Sequence, residues 1–201
     1  MTYTQALTFD LFLSLHGEDI RYELADGELI DMDPTGPHEV VAGKLALYLG
    51  MAITQAQKPW ILPRNCLIRP FSSAATARRP DLIILDETLL ADEPRWQQEP
   101  VITLSQTVKL VAEVVSTNWE NDYARKVDEY ALFGIPEYWI VDYRGLGGSA
   151  FIGRPKQPVL TLCTLEAGDY QQKQYRLGQL IQSPLFPNLQ LCLDDLLPKS
   201  M

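Results

Sequence analysis

The chain has 201 residues, with 26 Asp and Glu against 17 Lys and Arg and a formal net charge of −9. Its 46% hydrophobic and 21% charged residues are ordinary globular composition, which excludes a disordered or collagen-like chain. The longest apolar runs, Leu82–Leu85 and Leu110–Val115, are strand-length, so the sequence offers no bilayer-spanning helix.

The length suits one sizeable core, and residues 1–201 read as a single domain. The opening MTYTQALTFD has no basic stretch and no small-residue cleavage motif, so no secretory leader is expected. Cys66, Cys163 and Cys192 are odd in number and form no CxxC pair, which reads as reduced thiols in a cytoplasmic protein. The acidity is uneven. Residues 1–50 hold nine Asp and Glu against two Lys and Arg, and the rest hold seventeen against fifteen. An acidic chain is a poor non-specific binder of nucleic acid, but the later part is close to neutral.

In chain order, Thr8–Leu15 reads as a short helix. The alternating segments Asp19–Leu24 and Glu28–Met32 flank Ala25-Asp26-Gly27, a hairpin signal because Asp and Gly tolerate positive φ. After the breakers Asp33-Pro34-Thr35-Gly36-Pro37, Val41, Leu45, Tyr48 and Ala52 fall at helical spacing within a long helix, His38–Gln57. Trp60–Ile68 and Asp81–Leu85 read as strands, and 86–106 as a polar excursion. Val108–Val115 is a buried strand, Asn118–Phe133 a helix and Glu137–Asp142 another strand. Short strands close the chain: Val159–Thr164, Asp169–Leu177 and Leu189–Leu193. The strand, strand, helix, strand order in the middle predicts an α/β fold, a mixed sheet flanked by helices with additional C-terminal strands.

Three places break this bland pattern. Arg79-Pro80-Asp81 precedes Leu82-Ile83-Ile84-Leu85, so Pro80 holds an extended backbone and sets Asp81 at the mouth of a buried strand. Glu113 lies inside Val108–Val115 on a face shared with Val111 and Val115, while Leu110, Ala112 and Val114 fill the other. A charge there is costly without a partner. In the next helix Thr117 and Glu120 have capping-box spacing, making Asn118 the first helical residue. At about 100° per residue Trp119, Tyr123, Val127 and Tyr130 form one apolar stripe, with Lys126 inside it and Asp122 on its edge. A lysine so placed either snorkels to water or meets a negative partner.

Pro80-Asp81 followed by the Glu113 strand resembles the PD-(D/E)xK motif of restriction-endonuclease-like proteins. The residue two beyond Glu113 is Val115, where that motif has lysine. The longer stretches "RRPDLIIL", "LVAEVVSTNWENDYARKVDEYALFGIPEYWIVD" and "RYELADGELIDM…PHEVVAGKL" resemble the Uma-two family of that class. There the lysine lies on the helix after the second acidic strand, which matches Lys126, and Glu23 and His38 match a recurring early Glu and His. The resemblance implies a restriction-endonuclease-like fold and a metal-dependent DNA endonuclease with Asp81, Glu113 and Lys126 catalytic. Glu23, His38 and Asp122 would support them. Asp81 and Glu113 would hold Mg²⁺ or Mn²⁺, hard cations suited to oxygen ligands, with a strand carbonyl after Glu113 as a further donor. DNA is the implied substrate, a homodimer is compatible with two-strand cutting, and no membrane partner is implied. A non-catalytic interaction or nucleic-acid-binding module that keeps the fold is the alternative, favoured by the acidic charge and by Val115, and a nucleotide- or RNA-directed hydrolase using the same metal centre is a third reading.

Overall fold

A computed structural model describes residues 6–32, 34–70 and 75–199. Helix α1 (Phe9–His16) is capped by Thr8, whose hydroxyl accepts from the Leu11 N–H at 3.2 Å. Strands β1 (Tyr22–Ala25) and β2 (Glu28–Asp31) form the expected hairpin, with Asp26 and Gly27 at φ 50° and 80°. Both values are positive, as a two-residue turn matched to strand twist requires. The first hairpin strand is shorter than its alternation suggests, because Asp19 folds back to accept the Arg21 N–H. Of the breaker cluster before the next helix, Asp33 lies outside the described residues.

Helix α2 (Gly36–Gln55) buries Val41, Leu45, Leu49, Ala52 and Ile53, and also His38. The expected strand 60–68 is two pieces, β3 (Trp60–Ile61) and β4 (Leu67–Ile68), which join different sheets. Pro63, without an N–H to donate, lies between them. Strand β5 (Leu82–Asp86) follows. The polar excursion 86–106 holds a 3₁₀ turn, Glu87–Asp92, and strand β6 (Val101–Ile102), which pairs in parallel with β4.

Strand β7 (Val108–Val114) pairs antiparallel with β5 and parallel with β8 (Glu137–Asp142) across a helical crossover. That crossover departs from the ideal helix. It is helical from Trp119, not Asn118, passes through a π turn at Asn121–Arg125, and only then becomes α3 (Lys126–Phe133). No capping-box hydrogen bond joins Thr117 and Glu120 among the described residues. Gly134 at φ 96° ends α3, its N–H and that of Ile135 satisfying the Tyr130 carbonyl. Beyond lie α4 (Ser149–Ile152), β9 (Val159–Glu166), β10 (Asp169–Tyr175) and α5 (Leu193–Leu196). The expected closing strand 189–193 reduces to one bridge between Leu180 and Cys192 before α5.

The main sheet runs β10-β9-β8-β7-β5-β3, mixed because only β7–β8 is parallel. Alternation along β7 sorts its side chains. Leu110, Ala112 and Val114 pack with Val41, Leu45 and Leu49 of α2, and Val111 and Val115 with Tyr130 and Phe133 of α3. Glu113 therefore faces the crossover. A third cluster, Phe9, Phe12, Leu24, Leu67, Ala77 and Val101, ties α1 and the hairpin to the rest. Among the described residues no helix is long and apolar enough to cross a membrane, and the three cysteines are free.

Candidate active site

The end of the β5–β7 ladder sets the first pair. Leu82 lies opposite Ala112, so one more step of the register brings Asp81 beside Glu113. Asp81 Oδ2 accepts the Val114 N–H at 2.7 Å, tying the carboxylate to β7. His38, in the first turns of α2, reaches the same spot. Its Nε2 lies 3.1 Å from Asp81 Oδ2 and 3.0 Å from the Val114 carbonyl oxygen. Both neighbours only accept, so Nε2 carries the proton. The strand carbonyl expected as a metal donor is thus engaged by His38. Nδ1 faces Glu39 Oε1 at 3.4 Å without a hydrogen bond. Burial opposes the imidazolium, but the Asp81 and Glu39 carboxylates outweigh it and push the His38 pKa up to about 9.

Glu113 is buried to 3% side-chain exposure, and the crossover supplies its partners. Lys126 Nζ lies 3.0 Å from Glu113 Oε1 and 3.2 Å from Asp122 Oδ1, and the Tyr130 hydroxyl donates to Glu113 Oε1 at 2.8 Å. Of the two outcomes left open for Lys126, snorkelling or pairing, the structure shows pairing. The π turn aligns the residues that make it, since the Lys126 N–H bonds back to the Asn121 carbonyl five residues earlier. Burial pushes the Glu113 carboxyl well up; Lys126 pulls it down, and Asp81, Asp122 and Glu23 add to the rise. Lys126 is held strongly protonated, because Glu113, Glu23 and Asp122 outweigh the burial that opposes its charge.

Glu23 sits on β1 and is almost fully buried, not an exposed hairpin residue beside Arg21. The Leu24–Ala77 bridge brings it to Arg78, whose Nη1 donates to Glu23 Oε1 at 2.8 Å. Arg78 is fully buried and also donates to both Glu129 oxygens, at 2.6 and 2.9 Å. Glu129, Arg78, Glu23, Lys126 and the Glu113–Asp122 pair thus alternate in charge from α3 into the site. Sequence reasoning missed Arg78, Glu129 and the Tyr130 hydroxyl. The signal available was the Arg78-Arg79 doublet beside a buried strand.

Glu23, His38, Asp81, Glu113, Asp122 and Lys126 all line one cleft of about 180 Å³. For a cation, the set fits. Among the described residues the hydrogen bonds of Asp81 and Glu113 fall on Oδ2 and Oε1, and five carboxylates, Glu23, Glu39, Asp81, Glu113 and Asp122, surround Lys126 and His38. No three His, Cys, Asp or Glu side chains converge as a ready ligand group among the described residues.

Residues 9–194 match the model of the Uma2 family, described as "Putative restriction endonuclease". The chain is also similar to the crystal structure of "a putative nuclease belonging to DUF820" from Anabaena variabilis. The TM-score is 0.68 at 14% identity, over 94% of this chain and 97% of that one. At that identity the likeness is one of fold. No curated protein matches the chain.

Proposed function

Because the chain belongs to the Uma2 family, we propose that it is a divalent-metal-dependent DNA endonuclease whose reaction is run by Asp81, Glu113 and Lys126. The observation that carries this reading is the buried ammonium of Lys126 held against Glu113 at the floor of the cleft that Asp81 enters. Asp81 and Glu113 would hold Mg²⁺ or Mn²⁺ through their carboxylate oxygens. Such an ion lowers the pKa of water and neutralises charge on a phosphate.

The chain's own groups do the rest. His38 and the Val114 N–H lock Asp81 in place, so its orientation costs nothing when substrate arrives. Tyr130 fixes Glu113. Lys126 carries a positive charge at a dry position, suited to steering a water or meeting the charge that grows on the phosphoryl oxygens. Asp122 and Glu23, the latter set by Arg78, hold that ammonium charged.

One observation favours a second reading, a non-catalytic module. Glu113, Lys126 and Asp122 satisfy one another without any substrate. Incubating single-stranded, supercoiled and branched DNA with Mg²⁺ or Mn²⁺ separates the two. Slow hydrolysis that EDTA stops and Asp81→Ala abolishes is expected of the nuclease. DNA left equally intact by the parent and by Asp81→Ala would hand the site to the binding module.

A further inference from the structure

We propose that the cleft takes an unpaired DNA strand, single or looped out, and not an intact duplex; this deepens the nuclease reading and rests on it. The side chains of Glu113 and Lys126 are only 3% and 6% exposed, so a phosphate must descend into the cleft to meet them. The space is about 180 Å³, which admits a phosphate but not a length of duplex. In a duplex each phosphate is held in line by stacked and paired neighbours, and one cannot sink below the lip alone. A strand without a partner can bend.

The walls match such a strand. The lining includes Ile20, Ile30 and Met32, with Ile20 65% exposed, and the polar Ser116, Asn118 and Asn121. Apolar surface takes the face of a base, and amide and hydroxyl groups read its Watson–Crick edge; a duplex hides the first by stacking and the second by pairing. Charge points the same way. The lining carries Glu23, Asp31, Glu39, Asp81, Glu113 and Asp122 against Arg64, Arg79, Lys126 and a protonated His38. Arg79 is already spent on the Tyr22 and Gly17 carbonyls and on Asn65. A duplex brings a negative charge every ~1.7 Å of axis and a single strand about half that density, so the acidic rim penalises the duplex more.

Fluorescence anisotropy tests this with one labelled oligonucleotide presented as single strand, hairpin loop and blunt duplex. Asp81→Asn in Mg²⁺ is the protein used, because its amide oxygen still accepts from Val114 and cutting should be suppressed. The single strand should bind about tenfold more tightly than the blunt duplex, one decade in Kd. Its salt slope should be shallow, about −0.7, as expected for one neutralised phosphate on a single strand. Adding Ile20→Glu, at a position too exposed to affect the melting temperature, should weaken single-strand binding several-fold. A duplex that binds as well as the single strand, or an Ile20→Glu protein that binds unchanged, overturns the proposal.

A cleavage assay on the parent with Mn²⁺ keeps the two readings apart. Duplex cut as fast as single strand sinks the strand preference and leaves the nuclease standing. Preferential single-strand binding with no cutting of any DNA removes the nuclease and keeps the strand preference. Neither binding nor cutting removes both.

Discussion

Lys126 is the residue on which stability and the proposed chemistry meet. Its ammonium compensates Glu113 and Asp122, both buried, with Glu23 close enough to be felt. Sequence alone suggests that methionine would be a harmless replacement on an apolar stripe. The contacts say otherwise. Lys126→Met leaves buried carboxylates without a cation, and breaking such a pair typically costs about 3–5 kcal/mol. The folded variant would bind protons more tightly than its unfolded chain, because burial already raises Glu113 and Asp122. A carboxyl raised on folding adds stability at low pH and loses it as pH rises through the folded value. Urea unfolding of Lys126→Met should therefore show a larger deficit at mildly basic than at mildly acidic pH, and a deficit independent of pH would contradict this account. Tyr130→Phe asks less: losing one donor to Glu113 Oε1 should cost about 1–2 kcal/mol, with the metal response retained.

At the level of elements, the crossover decides whether these residues meet. The π turn at Asn121–Arg125 spaces Asp122 and Lys126 onto the sheet while Tyr123 and Tyr130 stay buried. Deleting the exposed Ala124 should restore α-helical geometry and rotate one side of the break by about 100° relative to the other. Circular dichroism should keep its helical signal while cleavage and the metal-induced rise in melting temperature are lost. Retained cleavage would show that the π turn is dispensable. The same helix carries a pH response. Burial disfavours the Glu129 carboxylate, yet Arg78 and Arg125 overcome this and hold its pKa below the ordinary 4.5. The stability from that pairing is present above 4.5 and lost as pH falls through the lower folded value. Arg78→Met should flatten that acid limb in a melting-temperature profile. The hairpin, β5, β7, β8 and the stop at Gly134 were legible in sequence, since alternation, Asp-Gly and Gly-x-Pro act locally. The π turn was not, because no residue pattern marks one extra residue per turn.

Across the whole molecule, the C-terminal segment is pinned to the sheet by a buried carboxylate that the sequence reading used only as a strand end. Glu137 accepts from Trp139 Nε1, Ser183 Oγ and the Leu185 N–H at 2.9–3.0 Å. Burial raises its pKa even so. Ser183→Ala should cost about 1–2 kcal/mol with an unchanged denaturant slope, since one donor is lost and no element is released.

Periodicity, breakers and the cost of charge in apolar runs were enough to single out Asp81, Glu113 and Lys126 and to predict a mixed α/β sheet, because each signal lies within one element. Tertiary structure alone decided that Trp60–Ile68 divides between two sheets, that Lys126 pairs instead of snorkelling, and that His38 takes the Val114 carbonyl. It also supplied Arg78, buried between Glu23 and Glu129. These depend on which distant segments meet, and a charge without its partner in view looks the same in sequence whether it is solvated or buried.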